Sequence, residues 1–434
     1  MRVGFYECDI TPPLGCNMPG YYRANPAEDV LERIYAKAMV VEENGIYAAI
    51  VSLDTCEYVD EMTDVVHKRV YDYTGLSAES ICIHVVHTHK GAPVEEASWT
   101  GQPCDRAYRD VYYRRAADAI IMAYRNLDTA EAKFGRSEVK DIAFNRNYVR
   151  DDGKIVSFGV GNHKLDHMLA GVDEELPVLV FEREGKPIGA LISFACHQDC
   201  VDATAYSSDY SGVMAQELKK VYGEDFITVF MIGTAGDINH IANDPAVQSQ
   251  RPRRWYREMG RRAAAQAQVG ITNAKPIGGG VDVMKETIRI PRRQATAEYT
   301  KEQMQFWVEN GGGLMREWNL LYYNIVNKEA YSDLVLQSIR IGNVCISVYS
   351  GEIYVNFGLR LKKESPFENN FVVENSNCFG GYIPTPEAFG EDSDLYESSL
   401  CFGSRHVPEA GDLMTDRLLE MASALKAKME SPVQ

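Results

Sequence analysis

No run of about 18 consecutive apolar residues occurs in the 434-residue chain, so no segment is expected to cross a bilayer as a helix. No long uninterrupted run of Lys/Arg occurs, and 45 basic against 62 acidic side chains leave a net charge of −17. That balance argues against sequence-independent binding to nucleic-acid phosphates or anionic membranes. The opening Met1-Arg2-Val3-Gly4-Phe5-Tyr6-Glu7 lacks the basic and apolar regions of a secretory leader. A disulfide framework is also missing: the ten cysteines are irregularly spaced, and Cys82 and Cys345 sit inside apolar runs, as reduced core thiols do. The expectation is a cytoplasmic protein with a small-molecule substrate, no nucleic-acid partner and no stable membrane association. Nor is there a G-x-S-x-G elbow, a phosphate loop or a dinucleotide fingerprint. The triplets at 278–280 and 311–313 lack the strand-to-helix setting such motifs need, which disfavours serine-hydrolase and nucleotide-dependent chemistry.

What is present is β-hairpins and amphipathic helices. Three pairs of β-rich runs flank short turns at 34–54, 176–195 and 334–350, with single strands at 80–86 and 226–232. Helical periodicity marks 60–74, 105–127, 209–222, 251–268, 353–363 and 411–429. The mixture predicts an α/β (mixed) fold, a large mixed β-sheet core with flanking helical layers. No linker and no internal repeat of 20–50 residues is visible, so residues 1–434 read as a single domain, with a mostly helical excursion at about 294–330.

The informative pattern is where strands end. ICIHVV runs into His87-Thr88-His89, GALISFAC into His197, FITVFMIGTAG into Asp237-Ile238-Asn239-His240, and VCISVYSG into Glu352. Strand ends sharing one sheet edge converge on one pocket, where α/β ligand sites lie. Two histidines and a carboxylate form the donor set of a catalytic zinc, which leaves a position for water or substrate and lowers the pKa of that water from 15.7 to about 7. A lone His after a strand is ordinarily structural, so the argument rests on the co-occurrence. In an extended HTH segment both rings point to the same side, one for metal and one for water or substrate. His84 alternates into the core, His67, His163 and His167 read as solvated, and His240 and His406 stay open. Cys196 and Cys200 flank His197, but CHxxC without a second pair is not a structural zinc motif. Asp199, Asp202 and Asp209 could hold calcium or a second metal, though a solvated acidic loop is the simpler reading.

In order along the chain, GFYECDITPPLGCNMPGY, HVVHTHKGAP, FNRNYVRDDG, SFACHQD, GTAGDINH, SGEIYVNFGLRL and GGYIPTPEAF…YESS resemble the neutral/alkaline ceramidase-like family over nearly the whole chain. The resemblance implies a neutral-ceramidase-like catalytic domain binding one zinc through His87, His197, Glu352 and Tyr382. It further implies supporting roles for His89, Arg146 and Tyr396 at the scissile carbonyl or the leaving group. Where the family carries a serine, this chain has Asn239, which positions by hydrogen bonding but is no alkoxide nucleophile. The chain is also expected to lack the family's C-terminal immunoglobulin-like domain. The expected function is therefore a zinc-dependent hydrolase, ceramidase-like, cleaving an amide C–N bond of a small soluble molecule with metal-activated water. The alternatives are an ester or lactone hydrolase with the same site, or a catalytically silent metal-binding protein.

Overall fold

Alternation of apolar side chains on both faces builds the first hairpin. In a computed structural model that describes residues 1–20, 25–56, 58–91, 94, 104–157, 165–242, 244–294, 301, 329–401 and 403–430, it comprises β2 (Tyr35–Glu43) and β3 (Ile46–Leu53), preceded by β1 (Arg2–Asp9). Ala36, Ala38 and Val40 face one core, whereas Met39 and Val41 face another. Helix α1 (Asp60–Thr74) then carries the chain to β4 (Ile81–Val85), which pairs with β3 in parallel. Burial on both faces explains why these strands read as continuous apolar runs.

The same succession occurs twice more. After α2 (Arg106–Arg125) and β5 (Glu131–Glu138), the hairpin β6 (Glu175–Arg183) and β7 (Lys186–Phe194) is followed by α3 (Asp209–Tyr222) and by β8 (Ile227–Ile232), parallel to β7. After α4 (Trp255–Thr272) and β9 (Val281–Pro291), the hairpin β10 (Tyr331–Ile341) and β11 (Val344–Val348) is followed by the two-residue β12 (Glu352–Ile353), by α5 (Val355–Glu364) and by β13 (Asn369–Val373), parallel to β11. β14 (Tyr382–Ile383) and α6 (Ala410–Glu430) complete the principal elements. Three hairpin–helix–parallel-strand units thus exist where the sequence suggested no repeat. They share topology without an evident sequence repeat, and the segment joining hairpin to helix is longer in the second unit (195–208) than in the first (54–59) and third (349–354).

The fold is mixed α/β as expected, with its principal strands distributed over three sheets: β4-β3-β2-β1, β8-β7-β6-β5 and β9-β10-β11-β13, the first two extended by short edge strands. Their inner faces meet in one core that includes Phe5, Met39, Phe181, Met231, Ile346 and Phe371. Each outer face carries its own helical layer: α1 and α2 on the first sheet, α3 and α4 on the second, α5 and α6 on the third. Among the described residues no helix is long and apolar enough to cross a membrane. The expected excursion at 294–330 lies almost entirely outside the described residues.

Candidate metal centre and its surroundings

His87, His197 and Glu352 leave three different sheets rather than one sheet edge, following β4, β7 and β11 respectively. The convergence works because the sheets are tied together beneath the site. His84, buried as the strand alternation predicts, accepts from the Ile232 amide at 3.0 Å and pairs with Ser376 Oγ at 3.0 Å. The Glu374 carboxylate accepts from the amides of Ala235 (3.1 Å) and Ile353 (2.6 Å), and Asp237 accepts from the Val355 amide (2.8 Å). Burial pushes the Glu374 carboxyl well above its usual range, with Glu352 adding to the effect.

His87 Nδ1 donates to the Cys56 carbonyl at 2.8 Å, and His197 Nδ1 donates to the Ala235 carbonyl at 3.0 Å. A carbonyl only accepts, so Nδ1 carries the proton of each neutral ring and Nε2 keeps its lone pair. Those two Nε2 atoms lie 3.0 Å apart. Glu352 Oε2 is 3.4 Å from one and 3.5 Å from the other, and it is buried with no hydrogen-bond partner among the described residues. Burial, reinforced by His87, holds the His197 imidazole well below its ordinary pKa, so a proton is not the natural bridge. Three acceptors converging without a donor fit a cation of the zinc class, with backbone carbonyls fixing the ring tautomers behind them.

Tyr382 reaches this group through backbone register: β12 and β14 pair in parallel with Glu352 opposite Tyr382. Gly351 (φ +93°) and Gly381 (φ +67°) permit this, since a Cβ on Gly351 would stand 2.5 Å from the Gly381 carbonyl oxygen. Burial, then Glu352, pushes the Tyr382 phenol well above 10. Its hydroxyl lies 3.4 Å from that of Tyr396, and Arg146 places its guanidinium 5.6 Å and 5.3 Å from the two ring centres. Arg146 is fixed by Glu397 Oε1 (2.8 Å) and the Gly236 carbonyl (2.6 Å), with Glu397 fully buried.

His89 Nε2 sits 3.3 Å from His87 Nε2, and its Nδ1 lies 3.9 Å from Asp199. The two rings do face one region, but by a turn and not by extended alternation, because His87 adopts φ +66°. Burial pushes His89 down to about 4. Cys56 Sγ, His87 and His89 form a second donor group that overlaps the first at His87. Asn239 has its Oδ1 on the Ile241 amide (2.9 Å), while Ile238 and Asn239 pair with Asn145 and Phe144, holding the strand that delivers Arg146.

Other expectations need revision. Asp209 is buried at the start of α3, accepting from the Cys200 (2.9 Å) and Tyr210 (2.6 Å) amides, while Asp202 is exposed, so the acidic loop is only partly solvated. Among the described residues these aspartates form no donor group of metal dimensions. His67 is half-buried instead of solvated, and burial pushes it down to about 4. His406 is buried on Ser332 Oγ (2.9 Å), His167 is exposed beside Asp166, and His163 lies outside the described residues. Glu374, Glu397 and Cys56 escaped the sequence reading. Glu374 had the same signal as the others, a carboxylate at the end of the apolar strand NNFVV, whereas Cys56 acts through its carbonyl and leaves no trace in residue type.

The profile described as "Neutral/alkaline non-lysosomal ceramidase, N-terminal" matches residues 1–309. Two solved structures share the fold. One, of neutral ceramidase from Pseudomonas aeruginosa, superposes with a TM-score of 0.77 at 18% identity, covering 100% of this chain and 75% of that one. The other, a ceramidase complexed with C2, gives 0.77 at 17% identity over 100% and 76%. No curated protein matches the chain.

Proposed function

The chain belongs to the neutral/alkaline non-lysosomal ceramidase family, whose members hydrolyse the amide bond of ceramide, and we propose that it is a zinc-dependent amidase acting on a short, soluble amide. The observation that carries the metal part is the pair of Nε2 lone pairs 3.0 Å apart beside the unpartnered Glu352 Oε2. His87, His197, Glu352 and Tyr382 would hold the ion. When bound, zinc supplies a Lewis acid for the scissile carbonyl and acidifies water at neutral pH.

The chain's own residues supply the rest. Arg146 holds the two phenol rings against each other and keeps positive charge near the developing oxyanion. The Tyr396 ring is partly exposed at the edge of the site, while desolvation of its phenol, opposed by Arg146, pushes it up, so it keeps its proton and can donate to the carbonyl oxygen or the leaving nitrogen. Neutral His89 is placed to accept a proton from water at its Nε2. Asn239 stabilises the turn behind them. The substrate part draws on the net charge of −17, which repels anionic headgroups at a bilayer surface. A panel of matched amides and esters, with and without chelator, tests the reading. Chelator-sensitive turnover of amides is expected; turnover of esters alone reassigns the bond, and chelator-resistant turnover overturns the metal.

A further inference from the structure

A cavity of ≈ 290 Å³ opens beside the start of α4, lined among others by Cys200, Asp202, His240, Arg251, Arg253 and Arg254. It contains none of the four proposed zinc ligands. Arg251 lies between two rings, its guanidinium carbon 4.8 Å from the centre of Phe144 and 4.6 Å from that of Trp255. Ring faces hold a guanidinium by its faces and leave the in-plane N–H groups to seek acceptors. Nη1 and Nη2 of Arg251 are buried without one among the described residues, and so is Trp255 Nε1; His240 Nδ1, which donates or accepts according to its tautomer, is buried there without a partner as well. Buried N–H groups left unmatched in this way are uncommon and call for a partner.

Lack of acids does not explain the vacancy of partners, because carboxylates outnumber cations 62 to 45 in this chain. Nearby, Arg257 pairs with Glu32 at 3.0 Å and Arg262 with Glu258 at 3.1 Å. Among the described residues Arg251, Arg253 and Arg254 have no ion pair, Arg253 and Arg254 are exposed, and the single carboxylate on the lining is the exposed Asp202. Three guanidinium groups against one carboxylate favour a negative ligand, and the guanidinium fork matches an oxyanion in two-point geometry. We propose that this cavity is a binding site for a small oxyanion, a phosphate or a carboxylate, free or carried on a larger molecule, with Arg251 as its central contact.

Calorimetric titration of the full chain with inorganic phosphate, and separately with citrate, tests this at ionic strength matched with sodium chloride. At least one probe should bind to the wild type at one site, and Arg251→Met, which keeps an apolar side chain between the two rings, should weaken it tenfold or more. The exposed pair Arg253→Ala/Arg254→Ala keeps the test open if Arg251→Met fails to fold, and it should weaken binding severalfold. Binding must persist in His197→Ala, which separates this site from the proposed zinc centre, so failure of either leaves the other standing. Citrate binding without phosphate would identify the ligand as a carboxylate, and the reverse a phosphate. No binding above the chloride control, or wild-type affinity in the variants that fold, overturns the proposal.

Discussion

At the scale of single residues, the site is governed by which atoms hold protons. His84 is the clearest case outside the metal group: buried and bonded at both nitrogens, its pKa is pushed down to about 3, against 6.5 for an ordinary imidazole. The unfolded chain takes up a proton on this ring below about 6.5 and the folded chain does not, so the stability it contributes is complete above 6.5 and is lost as pH falls toward 3. Between pH 7 and 5 that loss is about 2 kcal/mol. Urea unfolding at the two pH values should show His84→Gln losing less over this interval than the wild type; parallel losses would refute the assignment. Arg146 makes the complementary prediction. Its guanidinium spans Glu397 and the Gly236 carbonyl while facing two phenol rings, a task an ammonium cannot reproduce. Arg146→Lys should lower kcat/KM by about 10²-fold with metal content unchanged. Loss of metal as well would make Arg146 a structural support of the ligands.

At the scale of elements, the site is a meeting of loops that follow three parallel-edged sheets, and glycine decides how closely they meet. Gly381 adopts φ +67° and would bring a Cβ 2.5 Å from the Gly403 carbonyl oxygen, while its own carbonyl accepts the Glu352 amide at 2.8 Å. Gly381→Ala should therefore displace Tyr382 from Glu352, at a cost of about 1–3 kcal/mol in backbone strain alone. Reduced metal affinity with the fold retained is the expected outcome, read by titrating metal into chelator-treated protein and by circular dichroism. Affinity equal to the wild type would mean that β14 does not position a ligand. The hairpins, the two single strands at 80–86 and 226–232 and all six helical segments were legible in the sequence because their apolar spacing is a local property, whereas β1, β5, β9 and β13 were not read from it. Strand-end His87, His197 and Glu352 were legible for the same reason. The three-sheet arrangement was not, since strand periodicity reports burial and says nothing about which sheet a strand joins. Tyr382 came only through family resemblance, because its place beside Glu352 depends on a parallel pairing across 30 residues of chain.

At the scale of the whole molecule, two properties bear on what the protein acts upon: its strong negative charge and a site built from polar side chains with Arg146 and two tyrosines at its edge. Short soluble amides should be cleaved at least about tenfold faster in kcat/KM than long-chain ceramide, a gap of about 1.4 kcal/mol in barrier. Assaying a long-chain ceramide beside its short-acyl analogue decides this, and preference for the long chain would return the protein to lipid hydrolysis without touching the metal assignment. The central claim is the metal itself. Elemental analysis of the purified protein and of His87→Ala, His197→Ala and Glu352→Ala, each confirmed as folded, addresses it most directly: the account predicts one zinc per chain in the wild type and substoichiometric zinc in all three variants, and full zinc retained in both histidine variants would contradict it.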